Sequence, residues 1–95
     1  PLRLVESGRL ADEIAAEAAR GRSVGVWARR DPGGAACWLE APADPERYAQ
    51  ALYATLRELD GKGVDVLLFE QQPAASAWTA VRDRLGRAAV GSGEA

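Results

Sequence analysis

The side chains with most chemical potential in this 95-residue chain are the charged and amide groups that follow its apolar runs. Arg29 and Arg30 follow residues 23–28, Glu40 closes 36–40, and Glu70, Gln71 and Gln72 follow 64–69. If those runs are strands of an open α/β sheet, these residues stand beyond the strands' carboxyl ends, where such sheets bind ligands. Two guanidinium groups and two carboxamides there suit an anion or a docking surface. Polar loops are the default at such places, so solvated loop is the plainer reading of the same residues. Glu70 stands out because it closes the most apolar run. A second set is Arg57, Asp60 and Arg84. Asp60 falls at the C-terminal end of an expected helix, where a negative charge opposes the macrodipole at a cost of a few tenths of a kcal/mol up to ~1. Arg57, one turn earlier, or Arg84, on the last helix, would offset it. A structural salt bridge is the plainer reading of this set.

Much chemistry is excluded. The chain has no His and a single Cys. One chain therefore cannot build a Cys/His zinc site, an internal disulfide, or a Ser-His or Cys-His catalytic pair. Gly61-Lys62-Gly63 precedes an apolar run, whereas a phosphate-binding loop follows a strand and opens a helix. There is no Walker A pattern and no GxGxxG. Cys37 reads as a small buried apolar residue. No metal or cofactor is expected in this chain.

The elements that must position the charged groups follow from punctuation and period. Residues 2–5 form a short apolar edge strand. Ser7 is expected to cap a helix whose stripe is Leu10, Ala11, Ile14, Ala15 and Ala18, and Gly21 stops it. Residues 23–28 read as a strand in which Gly25 marks a weak point or a close approach of a helix backbone. Asp31-Pro32-Gly33-Gly34 is a turn. Residues 36–40 form a further strand. The link before it is too short for a helical crossover, so the two strands either form a hairpin or lie apart. Asp44 caps the next helix with Pro45 at its first position. Tyr48, Leu52, Thr55, Leu56 and Leu59 make its stripe, and Gly61 and Gly63 end it. Residues 64–69 are almost continuously apolar, as suits a central strand covered on both faces. Ser76 is expected to cap the last helix, with Trp78, Val81, Leu85, Ala88 and Ala89 buried and an Asp83–Arg87 pair outside. Three Trp are many for this length. Trp27, Trp38 and Trp78 each read as core, and Trp27 or Trp38 alternatively serves a face meant for another domain. Residues 91–95 read as a disordered tail.

Alternating helices and strands argue for an α/β layered domain with a mostly parallel sheet. The length fits one domain with a single core. Net charge is −2, from 12 Lys and Arg against 14 Asp and Glu. No basic run is long enough to suggest nucleic acid or an anionic membrane. With no signal-peptide pattern and no apolar run near the roughly 20 residues that span a bilayer, the chain reads as cytoplasmic. Its start at Pro1 and its lack of Met suggest a piece of a longer protein.

The run from 44 to 89 resembles the C-terminal accessory domain of the two-domain threonylcarbamoyl-AMP synthases (YrdC-like, Sua5-type). That domain typically reads "LY..LR..D", matched by Leu52-Tyr53, Leu56-Arg57 and Asp60. It continues with a strand ending in an acidic residue, here Glu70, and a last helix like "A..DRL.RAA", here Ala80, Asp83-Arg84-Leu85 and Arg87-Ala88-Ala89. A proline-containing linker and an apolar strand like residues 1–5 extend the likeness over nearly the whole chain. Many members carry Gly-Leu-Gly before the last helix, where this chain has Ala75-Ser76-Ala77-Trp78. The resemblance implies a Rossmann-like three-layer α/β/α domain over residues 1–90. It implies a place in an enzyme that joins threonine, bicarbonate and ATP into threonylcarbamoyl-AMP, a nucleotidyl transfer that supplies the modification of an adenosine in the tRNA anticodon loop. The ATP site belongs to an N-terminal YrdC-like catalytic domain that this sequence lacks, and the accessory domain and its linker would cover or gate it. No catalytic residue carries over. Arg29, Arg30, Arg57, Asp60, Glu70, Gln71 and Arg84 remain as candidate ligand or interdomain contacts. The alternative is an independent α/β module that binds an anion at the strand ends through Arg29, Arg30, Glu70 and Gln71. An autonomous enzyme is least favoured, for want of a nucleophile–base pair or metal set.

Overall fold

The computed structural model describes residues 2–73 and 75–91, the last four as backbone only. Four strands and three α-helices follow along it: β1 (Leu2–Val5), α1 (Leu10–Ala19), β2 (Val24–Ala28), β3 (Cys37–Glu40), α2 (Pro45–Gly61), β4 (Val66–Glu70) and α3 (Thr79–Gly91). The sheet order is β1-β4-β2-β3 and every pairing is parallel. The expected tail lies outside the described residues from 92 onward, as do the side chains of Ala88 and Ala89.

β4 is central, as its apolar run requires. Its side chains alternate between faces at the strand period of two. Leu67 and Phe69 join Leu2 and Trp27 under α2 and α3, where Tyr48, Leu52, Leu59, Trp78, Val81 and Leu85 close the layer. Val66 and Leu68 join Val24, Val26 and Ala28 under α1, against Leu10 and Ile14. Both faces are thus covered, and the strand needs no polar alternation. Trp27 and Trp78 are buried, and Trp38 is partly buried against the α1-side core; among the described residues the large apolar side chain left in water is Tyr53.

Several sequence expectations are corrected. β2 and β3 are neither a hairpin nor separate strands. They are parallel neighbours, with Val26 opposite Trp38 and Trp27 opposite Leu39. Residues 29–36 make the return without a helix, turning through Gly33 and Gly34, whose φ values are +83° and +81°. Neither Ser7 nor Ser76 caps a helix. Each is the first residue of a 3₁₀ turn, Ser7–Arg9 or Ser76–Trp78, that leads into α1 or α3, and neither turn has a side-chain cap. On α1 the buried residues are Leu10, Ile14 and Glu17, not the alanines at 11, 15 and 18. Glu17 is 2 % exposed and is held by Arg3 (3.2 Å), Arg20 (3.4 Å) and Arg22 (3.4 Å).

Other details follow the sequence closely. Asp44 Oδ2 accepts the N–H of Arg47 at 3.0 Å, the cap expected for α2. Asp83 and Arg87 pair at 3.7 Å on the exposed face of α3. Gly25 does mark a close approach, made by side chains instead of a helix backbone. A Cβ there would meet Val64 Cγ2 at 3.1 Å and Leu59 and Leu67 Cδ2 at 3.3 Å.

Candidate functional site

The carboxyl ends of β2 and β4 lie side by side because the two strands pair from Val24–Val66 to Trp27–Phe69. Just beyond the last pair, Arg29 and Glu70 meet. Glu70 Oε1 accepts the backbone N–H of Arg29 at 3.0 Å and its Nε–H at 2.8 Å. Glu70 is buried, whereas the Arg29 side chain is 43 % exposed. The carboxylate therefore fixes both the main chain and the side chain of one arginine.

A second layer holds Glu70 in turn. Gln72 Nε2 donates to the Glu70 carbonyl at 3.0 Å and to Tyr48 Oη at 2.9 Å. Tyr48 stacks on Trp27 with ring centroids 4.0 Å apart, and Trp78 meets Tyr48 edge-on at 5.4 Å. Gln72 Oε1 is buried without a hydrogen-bond partner among the described residues. The space it borders, between the β3–α2 and β4–α3 connections, holds about 10 Å³. The aromatic layer thus carries the charged pair above it.

Electrostatics follow from this packing. Burial pushes the Glu70 carboxyl up, but the side-chain and backbone hydrogen bonds from Arg29, with the charges of Arg29 and Arg30, outweigh it and leave the group below its ordinary value. The same hydrogen bond raises Arg29, against the pull of burial. Burial raises the Tyr48 hydroxyl well above the usual range, partly opposed by the Gln72 hydrogen bond. At neutral pH the site holds a charged pair beside a neutral phenol.

On the α1 side of the pair opens a cleft of about 600 Å³. Arg29, Arg30, Asp31 and Glu70 line one side of it, and Ser7 and Gly8 also border it. The cleft offers hydrogen-bond donors and fixed charge. It holds no nucleophile beside a free base, and no group of three potential metal ligands occurs among the described residues.

The other predicted residues do not converge here. Gln71 is exposed and borders a smaller hollow with Arg3 and Arg9, while its N–H bonds Val5 O at 2.8 Å. Arg57, Asp60 and Arg84 are exposed and form no ion pair among the described residues. The expected offset of Asp60 is absent among the described residues: all three side chains are exposed, and an exposed pair gains too little to fix two long side chains. Arg84 instead borders a shallow groove between α2 and α3 with Ala49 and Val81. Sequence reasoning missed Ser7 and Gly8, although they follow β1 as Arg29 follows β2, and the strand-end rule that selected Arg29 applies to them equally. It also read Tyr48 as a stripe residue alone.

A family model described as the C-terminal domain of threonylcarbamoyl-AMP synthase matches residues 1–90. Among solved structures, the chain is similar to the C-terminal Sua5 domain of a hypothetical Sua5 protein from Pyrococcus horikoshii. The TM-score is 0.78 and the identity 26 %, over 90 % of this chain and 88 % of that one. No curated protein matches. With this fold and this span, the chain belongs to the threonylcarbamoyl-AMP synthase C-terminal domain family.

Proposed function

We propose that this domain is the accessory part of a threonylcarbamoyl-AMP synthase. Its partner is a YrdC-like catalytic domain of the same polypeptide. That domain holds ATP, threonine and bicarbonate and makes threonylcarbamoyl-AMP for tRNA modification, a nucleotidyl transfer we place in the cytoplasm. The observation that carries this reading is the family match across residues 1–90. The sheet is covered on both faces, so the domain has a core of its own and needs no partner to complete it. No helix among the described residues is long and apolar enough to cross a membrane.

A docked domain alters turnover only through contacts that differ between the open and closed states of its partner. The domain therefore acts by favouring the closed catalytic site over the open one. The test compares the two-domain enzyme with its isolated catalytic domain in ATP–pyrophosphate exchange and threonylcarbamoyl-AMP formation. The 95-residue chain alone is expected to be inactive, and removing it from the enzyme to change kcat or KM. Unchanged kinetics and unchanged thermal stability after removal would overturn the proposal, as would exchange activity in the isolated chain.

A further inference from the structure

The cleft over the Arg29–Glu70 pair has the parts of a small-molecule site. Its volume, about 600 Å³, lies in the range of ligand pockets. It stands beyond the carboxyl ends of parallel strands. There the chain leaves β4 toward α3 on one face of the sheet and leaves β2 toward the α1 face, the divergence that opens a crevice in such sheets.

The hydrogen-bonding capacity left open indicates what fits. Asp31 Oδ1 already accepts the N–H of Gly33 at 2.9 Å. Glu70 Oε1 already accepts twice from Arg29. Arg29 has used only Nε, the inner edge of its guanidinium. Its two terminal nitrogens have no partner among the described residues, nor have the Arg30 guanidinium and the Ser7 hydroxyl. The unused groups on the two arginines are donors and the Ser7 hydroxyl can donate, while Glu70 Oε2 and Asp31 Oδ2 accept no bond among the described residues and leave an acceptor beside each arginine. A guanidinium anchored through Nε still presents two parallel N–H groups, the arrangement that grips a carboxylate or phosphate with two bonds.

Arg29 is also positioned more firmly than a solvated loop residue needs. Glu70 holds it at two points, Gln72 holds Glu70, and the Trp27–Tyr48 stack holds Gln72. Such support is what keeps a binding group in one geometry. We infer that this cleft binds the phosphate or carboxylate group of a small molecule, gripped by Arg29 and Arg30, with Glu70 as a positioning residue. This binding is separate from the docking role above, and either holds without the other.

The test uses the 95-residue chain and amide and guanidinium NMR shifts. Inorganic phosphate and sodium acetate are titrated at ionic strength matched by sodium chloride. Saturable shifts at Ser7, Gly8, Arg29 and Arg30, with Kd on the order of 1 mM or tighter, are expected for at least one anion. Phosphate alone would identify a phosphate ester as the ligand, and acetate alone a carboxylate. Three variants check the place. A Cβ at Gly8 would meet no atom within 4 Å, so a side chain can start there toward open space, and Gly8→Leu is expected to block the cleft and abolish binding. Arg29→Lys keeps the charge and loses the paired N–H groups, with binding about tenfold weaker. Arg30→Ala changes an exposed residue and weakens binding without altering the fold. Absence of saturable shifts up to on the order of 10 mM of either anion, or equal shifts with chloride, would overturn the inference. Binding that survives both Gly8→Leu and Arg29→Lys would do the same.

Discussion

Glu70→Gln separates charge from shape at the carboxyl end of the sheet. The side chain keeps its length, and its oxygen can still accept from the Arg29 N–H now at 3.0 Å. The ionic part of both contacts goes. A hydrogen bond to a charged group is worth ~1.5–3 kcal/mol and a neutral one ~0.5–1.5, so the backbone N–H bond loses about 1 kcal/mol and the Nε–H bond less, because Arg29 stays charged. The Nε contact is discounted further, because the Arg29 side chain is 43 % exposed and water replaces much of it. An amide is also easier to bury than a carboxylate. The expected net loss is about 1 kcal/mol at neutral pH, or roughly 4–8 °C in melting temperature for a domain of this size. Acid should erase it. The folded-state value of Glu70 lies below its unfolded value of about 4.3, so the contribution is complete above that pH and disappears as pH falls through the folded value. Urea denaturation followed by the fluorescence of buried Trp27 measures the difference between parent and variant at about pH 7 and about pH 3. A gap of equal size at both would show that the carboxylate's charge does nothing, and would refute the reasoning.

Two further substitutions probe the frame around the site. Gly25→Ala gains a few tenths to ~1 kcal/mol by restricting the unfolded chain. It loses ~1–3 by forcing Val64, Leu59 and Leu67 aside from 3.1–3.3 Å, for a net loss of about 1 kcal/mol that Val64→Ala should partly restore. A thermally more stable Gly25→Ala protein would show that these side chains yield freely. Glu17→Ala removes a carboxylate that is 2 % exposed and shared by Arg3, Arg20 and Arg22. Because those arginines reach water, the loss should be about 2 kcal/mol, less than for a sealed pair, with the urea slope unchanged; a loss below about 0.5 kcal/mol would mean the cluster does not hold α1 to β1.

What the sequence made legible was local. Asp44-Pro45 and the stripe from Tyr48 to Leu59 define α2, because the cap and the period act within one helix. The apolar run ending at Phe69 marks β4 as covered on both faces. α1 misled because alanine fits either face of a helix, while Glu17 becomes buried only through arginines before and after the helix. The capping role read for Ser7 and Ser76 failed for a related reason. A 3₁₀ turn placed before the α-helix moves the boundary, and the extended residue then becomes Glu6 or Ala75. Arg29 and Glu70 were each selected, but their contact spans 41 positions and exists only because β2 and β4 are neighbours, which no local pattern states.

The β2–β3 return and the cleft are two aspects of one feature. Parallel neighbours normally need a crossover of about a dozen residues or more. Here the strands are five and four residues long, so the chain must retrace only ~17 Å at ~3.3 Å per residue. Eight linking residues can reach ~26 Å, enough to return if they turn sharply, and Gly33 and Gly34 supply the turn. By Ala36 the chain is back beside the start of β2, its N–H bonded to Val24 O at 3.0 Å. Ala35 and Trp38 then do the covering that a helix would have done on this face, with the Trp38 indole N–H tied to Ala28 O at 3.0 Å. A crossover helix starting after Ala28 would have placed its first turn where the cleft now opens. The short glycine-bearing link therefore both closes the sheet and leaves Arg29 and Arg30 at an open edge, and lengthening it into a helix would cover the two arginines.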